Sequence, residues 1–426
     1  MDLIVSQYDR SRPGLIRALA VGLAAASLVV GCNGAVPTTV ASTSLSAVSP
    51  SFAAPGGSTL TPSPSVGPSA SYPPGVIFEG AVYGGNVTWS PKGARVAVLA
   101  GASGTTPSVS IVDPAGRVED QFEAFDFAWL DEDTYIATKG ISGPSGADGF
   151  ATFTGSVGGV AWPLIPGNYS QIVAGPAGVV ALKLNDTGMD HYVIWSRSGV
   201  GSPRDGVPVA FSPDGSLLAV VHYPRACCAG LPSPEPTNAP GPTTLDIVRT
   251  DTGKSVRSTG DIVFAYGLGV SFNPDGRMVA FRRDTPDGHE DLAILNIVTG
   301  QVWVVQSGGL SILPQQTLAW LDSTHLDLRS AGPTATEPAG FNLVVTHWLS
   351  DVAARSVSSR GDVATARTGS PQIDIQSGGK LITRSLPRVF DDLQLLWSPD
   401  GSTLMAVCSA FDSGVHVPDQ VVILRP

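Results

Sequence analysis

A β-propeller, an all-β ring of radially stacked four-stranded sheets, is the fold this sequence predicts, and three observations predict it. First, Ser90-Pro-Lys-Gly93, Ser212-Pro-Asp-Gly215, Asn273-Pro-Asp-Gly276 and Ser398-Pro-Asp-Gly401 repeat one tetrapeptide. Second, each copy follows an aromatic residue (Trp89, Phe211, Phe272, Trp397) and precedes an apolar run (Val96-Ala97-Val98, Leu218-Ala219-Val220, Val279-Ala280-Phe281, Leu404-Met405-Ala406). Third, fainter copies fill the gaps, at Leu130-Asp-Glu-Asp133 after Trp129, Leu321-Asp-Ser-Thr324 after Trp320, Gly175-Pro-Ala-Gly178 and Ser358-Ser-Arg-Gly361. The eight starts, at 90, 130, 175, 212, 273, 321, 358 and 398, lie 37 to 61 residues apart, the length of a propeller blade. Eight blades are therefore expected, with seven as the alternative.

The chain begins with something else. Residues 18–31, ALAVGLAAASLVVG, are apolar or small and follow Arg10, Arg12 and Arg17. Fourteen residues make a helix of only ~21 Å, shorter than the ~30 Å hydrocarbon core, so the segment reads as a signal peptide rather than a membrane span. Val29-Val30-Gly31-Cys32 resembles the lipobox of bacterial lipoproteins. That resemblance implies cleavage after residue 31 and acylation of Cys32, whose two chains give the double anchoring that one chain cannot. The implied location is the extracytoplasmic face of the cell membrane.

Residues 32–73 form the expected linker. No charged residue occurs between Asn33 and Phe78, and Ser, Thr, Pro, Ala, Gly and Val dominate. Such a stretch buries too little apolar surface to offset its ordering entropy, so it is expected to be a disordered tether averaging roughly 35 Å end to end. The propeller is then assigned to residues 74–426. With 49 Gly, 35 Pro and only 14% charged residues, that domain is turn-rich and helix-poor.

Within the repeat, Ser or Asn at the first turn position bonds back to the backbone, Pro fixes φ at the second, and Gly closes the fourth, as in a type I turn. A third strand follows the hairpin, at Leu245–Thr250, Leu292–Ile297 and Gln372–Gln376, each ahead of a Gly turn. The chain ends on Val421-Val-Ile-Leu424, a third strand by this frame, and Gly75-Val-Ile-Phe-Glu79 is expected to supply the missing fourth. Together these residues resemble the TolB-like or WD40-like propeller family over residues 74–426. Periplasmic TolB proteins carry an α/β domain before the propeller, where this chain has only the linker, so a Tol-type role is not carried over.

Candidate sites divide into structural and functional readings. The repeated aromatics are expected to pack between blades, and Asp214, Asp275 and Asp400 to serve their own turns. The polar run Arg283–Asp291 matches no established Ca²⁺ loop. The insertion Pro224–Pro242 holds Cys227-Cys228 and the polyproline-prone run Leu231, Pro232, Pro234 and Pro236, making it the best partner-binding candidate. Cys227 and Cys228 could form a strained vicinal bridge outside the cytoplasm, with Cys408 as a buried thiol.

A net charge of −11 argues against nucleic acid as a partner. Twenty Arg against five Lys hints at a GC-rich genome. Nucleophile-elbow, zincin, Walker and dinucleotide signatures are absent, and His191, His222, His289, His325, His347 and His416 are scattered. The expected role is a non-catalytic binding or scaffolding module for a protein, peptide or glycan at the cell envelope, without cofactor or metal. The alternative is a propeller hydrolase or lyase with a site in the central channel.

Overall fold

The computed structural model describes residues 75–101, 106–142, 148–159, 164–185, 190–222, 243–259, 270–284, 290–307, 318–329, 336–338, 341–348, 352–412 and 415–425. Among them the chain forms strands and one 3-10 turn, Pro176–Gly178. Strand β1 (Val76–Gly80) precedes blade I, which holds β2 (Val82–Trp89), β3 (Val96–Ala100), β4 (Ser108–Val112) and β5 (Val118–Glu123). Blade II holds β6 (Asp126–Trp129), β7 (Thr134–Ser142), β8 (Asp148–Ser156) and β9 (Leu164–Ile165). Blade III holds β10 (Tyr169–Ala174), β11 (Val180–Leu184), β12 (His191–Ser196), β13 (Gly199–Val200) and β14 (Arg204–Asp205), the last two both pairing with β12.

Blade IV comprises β15 (Val207–Phe211), β16 (Leu217–His222), β17 (Thr244–Arg249) and β18 (Ser255–Ser258), and blade V β19 (Val270–Phe272), β20 (Met278–Asp284), β21 (Glu290–Asn296) and β22 (Val302–Ser307). Blade VI has β23 (Leu318–Trp320), β24 (His325–Arg329) and β25 (Val344–Trp348). Blade VII has β26 (Val352–Val357), β27 (Val363–Arg367), β28 (Gln372–Ser377) and β29 (Lys380–Ser385). Blade VIII has β30 (Asp392–Trp397), β31 (Leu404–Asp412) and β32 (Val415–Leu424). Seven sheets thus reach four strands or more, and blade VI has three among the described residues.

Period-two patterning with both faces buried builds the ring. In β31, Leu404, Ala406 and Cys408 enter the cluster shared with blade VII, while Met405 and Val407 enter the one shared with blade I. Equivalent clusters join I to II, II to III, III to IV, IV to V and V to VI. Between VI and VII, β23 lies against β26. The repeated aromatics sit in these seams as expected: Trp89, Trp129, Phe211, Phe272, Trp320 and Trp397 each pack toward the preceding blade. Two also lock polar contacts there, the Trp89 indole donating to Leu396 O at 3.1 Å and the Trp397 indole to Ser356 O at 3.3 Å.

Ring closure follows the sequence expectation. Strand β1 pairs antiparallel with β32 through Val76–Val422, Phe78–Val421, Glu79–Gln420 and Gly80–Asp419. Its alternating side chains divide between two seams: Val76 joins the VII–VIII cluster and Ile77 the VIII–I cluster.

Blade VI departs from the frame. Its β25 runs parallel to β24, with Val344 opposite His325 and Trp348 opposite Arg329. Only residues 349–351 separate β25 from β26, too few for a further strand and its turn.

Candidate functional site

The repeat turns are satisfied from within. In each of the four strong copies the glycine N–H donates to the first turn residue at 2.8 to 2.9 Å. The first residue's side chain is buried and accepts from the backbone N–H five residues on, at or just before the start of the next strand: Ser90 from Arg95 N (3.0 Å), Ser212 from Leu217 N (2.9 Å), Asn273 from Met278 N (2.8 Å) and Ser398 from Thr403 N (3.0 Å). Asp214 and Asp400 each accept the Ser212 or Ser398 hydroxyl at 2.6 Å and a backbone N–H at 3.0 Å, and Asp275 accepts Arg277 N at 2.9 Å. The Ser398 hydroxyl bond, with help from Ser402 and Arg360, lowers the Asp400 carboxyl to about 2. These carboxylates belong to turns, as their position in the repeat implies.

Each turn also packs on the turn of the preceding blade. A Cβ on Gly215 would meet Pro176 at 2.7 Å, and its φ of +72° already requires glycine. Ser398 and Pro399 lie beneath Gly93, Ser358 and Ser359 beneath Gly401, and Ser212 and Pro213 beneath Gly276. The corners therefore occupy matching places around one axis.

At the opposite ends of the inner strands the chemistry differs. Cys227, Cys228, Leu231, Pro232, Pro234 and Pro236 lie outside the described residues, as do Cys32, residues 285–289 of the polar run and the leader. The strands that carry the 223–242 insertion are described, however, and His222 closes β16 directly opposite Thr244 of β17. His222 Nε2 lies 3.3 Å from Asp246 Oδ2, while on the neighbouring blade His191 Nε2 lies 3.1 Å from Asp205 Oδ1. The blades meet through Gly206, whose N–H donates to Asp190 O and whose Cβ position lies 2.8 Å from His222 Cε1. The His222 hydrogen bond draws the Asp246 carboxyl below its ordinary range against the cost of burial. His325 pairs separately with Asp322, at 2.8 Å, in the blade VI turn.

Two features had no motif to announce them. Arg204 donates to Thr250 O (2.7 Å) and Asp251 O (3.0 Å) of the next blade's outer turn; Arg257 likewise grips Ile297 O and Val298 O, and Arg384 donates to Arg425 O at 2.7 Å. Asp126, on the innermost strand of blade II, accepts Ile172 N of blade III at 2.6 Å and Phe127 N at 2.8 Å, and burial pushes its carboxyl up to about 6. Cys408 is the fully buried free thiol that the sequence led us to expect, and burial drives it well above the ordinary range. Neither the arginines nor Asp126 fall at a turn position, so the repeat frame is blind to them.

Two open surface hollows occur among the described residues. One, of about 360 Å³, is lined by Arg95, Arg117, Val118, Glu119, Val157 and Gly158; the other, of about 400 Å³, by Gly75, Pro114, Arg384, Ile423, Leu424 and Arg425. Neither contains a histidine, and no group of three or more His, Cys, Asp or Glu among the described residues could hold a metal.

No protein-family model matches the chain, and no curated protein matches it. Its likenesses are to solved structures. They include a eukaryotic initiation factor (14% identity, 80% of this chain and 84% of that one, TM-score 0.49). They also include the WD40 domain of Toxoplasma gondii coronin (10%, 82% and 85%, TM-score 0.39) and TolB from Acinetobacter baumannii (12%, 76% and 78%, TM-score 0.33). The propeller assignment itself rests on the strand order, the seam clusters and the closing β1–β32 ladder.

Proposed function

We propose that this chain is an exported lipoprotein, held through acylated Cys32 to the extracytoplasmic face of the cell membrane, with residues 32–73 as its tether. Its propeller acts as a non-catalytic binding or scaffolding module for a protein, peptide or glycan at the cell envelope. The observation that carries the binding reading is the division of labour between the two ends of the inner strands. On the turn side, the polar groups of the repeats are consumed by their own corners and by neighbouring blades. On the other side, the 223–242 insertion follows directly on His222, which pairs with Asp246 on the face of blade IV that meets blade III, the kind of polar loop base that propellers use for contact.

Two experiments test it. Radiolabelled palmitate should enter the wild-type chain and not Cys32→Ala, which should leave the membrane fraction; equal labelling of both would sink the anchor. A photo-crosslinker at Leu231 should capture a discrete partner in intact cells, whereas one at Thr252, in an outer turn, should not. Identical adducts from both positions would remove the insertion as the contact element.

A further inference from the structure

The corners of blades I and II depart from the repeat in complementary ways. In two of the Ser-Pro-Asp-Gly corners one carboxylate oxygen gathers two donors. Asp214 Oδ1 accepts the Ser212 hydroxyl at 2.6 Å and Ser216 N at 3.0 Å, and Asp400 Oδ1 accepts the Ser398 hydroxyl at 2.6 Å and Ser402 N at 3.0 Å. Blade I has the hydroxyl, Ser90, but carries Lys92 where the aspartate belongs. Blade II has a carboxylate, Glu132, at that third position but Leu130, which has no hydroxyl, at the first. The two halves meet across the seam. Glu132 Oε1 accepts the Ser90 hydroxyl at 2.6 Å and Ala94 N at 3.1 Å, the counterparts of the two donors that Asp214 and Asp400 take within their own blades. Its other oxygen, Oε2, accepts Lys92 N at 2.6 Å.

We infer that Glu132 is the third residue of the blade I corner supplied from blade II, and that it latches the two blades together. Blade II can lend it because Asp131 closes blade II's own corner, accepting Asp133 N at 2.9 Å and Thr134 N at 2.8 Å. Arg95 returns the contact, donating to Glu132 O at 3.0 Å and to Asp133 Oδ1 at 2.9 Å. Blade V offers the contrast: Asn273 Nδ2 also reaches the following corner, at Ser323 O (2.9 Å), yet Asp275 stays with its own turn by accepting Arg277 N. An aspartate inside the corner holds it whatever the neighbouring blade does, whereas Glu132 holds the blade I corner only while blades I and II stay docked. Separating them strands the buried Ser90 hydroxyl and breaks three bonds to an ionised acceptor, the stronger class of hydrogen bond. The latch also stands next to the ring closure, since Ala81 alone separates β1 from β2 of blade I.

Hydrogen exchange on the full chain, read by mass spectrometry in peptides containing residues 90–95 and 130–134, tests the latch. Glu132→Ala should speed exchange in the 90–95 peptide about tenfold or more, as expected when charge-assisted bonds are lost. The amides of Asp133 and Thr134, which Asp131 holds, should keep their rate. Lys92→Asp should then act with opposite signs in two backgrounds. In the wild-type chain it sets a second carboxylate against Glu132 at one hydroxyl and should speed exchange of the 90–95 peptide. In the Glu132→Ala chain it rebuilds the corner from within and should slow exchange back toward the wild-type rate. An unchanged 90–95 peptide in Glu132→Ala, an equal loss of protection at both corners, or a Lys92→Asp effect of the same sign in both backgrounds overturns the latch. If Glu132→Ala does not fold, Glu132→Gln, which keeps the side chain's shape and removes its charge, takes its place under the same criteria.

Discussion

Blade VIII and blade VI show opposite outcomes of the same rule. Blade VIII is cut by the chain's own course, yet it is complete: β1 docks on β32 and drives Val76 and Ile77 into the seams on either side. Blade VI is unbroken in sequence order, yet it has three strands among the described residues, with β25 parallel to β24. What separates them is the local supply of chain. Blade VIII recruits a remote strand because its exposed ladder and two seams reward any segment with alternating apolar residues. Blade VI has three residues between β25 and β26, and no remote strand pairs with its edge among the described residues.

The sharpest way to break that contrast is to remove the recruited strand. Deleting residues 74–83 should lower the thermal midpoint more than any point change, and an unchanged transition would show that the β1–β32 ladder carries no closure. Next, Ile77→Ala should cost about 3 to 4 kcal/mol, the usual range for truncating a buried aliphatic side chain, read as a shift of the denaturant midpoint. Val344→Ala, on the half-exposed edge of blade VI, should cost well under 1 kcal/mol by the same measurement.

Asp126 extends the comparison to the II–III seam. Its carboxyl titrates near 3.8 when unfolded and at about 6 when folded, so between those values the native state holds a proton the unfolded chain has released. This group's contribution is full below the lower value and falls as pH rises through the upper one, by up to about 3 kcal/mol. Asp126→Asn should therefore flatten the loss of stability between pH 4 and pH 7 relative to wild type; parallel curves would show the carboxyl is not buried as described. The smallest effect is expected at the outer rim. Arg257→Gln should cost about 1 kcal/mol for its two carbonyl contacts, and Arg384→Gln less, because it makes one and sits at an exposed edge.

Much of the fold was legible because turn chemistry is local. Ser212-Pro-Asp-Gly215 announces its corner whatever surrounds it, and even Ser358-Ser-Arg-Gly361 forms the bond from Gly361 N to Ser358 O at 3.0 Å. The third strands fell within a residue or two of their expected bounds, β17 at Thr244–Arg249 for Leu245–Thr250 and β28 at Gln372–Ser377 for Gln372–Gln376. Gly175-Pro-Ala-Gly178 proved the weakest copy, closing as a 3-10 turn. The candidate site was less legible. The sequence located the insertion but gave no sign that His222 and His191 would each pair with a carboxylate, since their Asp partners lie 24 and 14 residues away.

By itself the sequence determined the repeat, its corners, the aromatic wedges and the segment that closes the ring, because each depends on neighbours along the chain or on period-two burial. Tertiary structure alone decided that β25 would run parallel to β24 in blade VI, that Arg204, Arg257 and Arg384 would grip the next blade, and that Asp126 would lose its water. Those outcomes depend on which blade stands alongside, and contact across a seam leaves no spacing in the sequence to read.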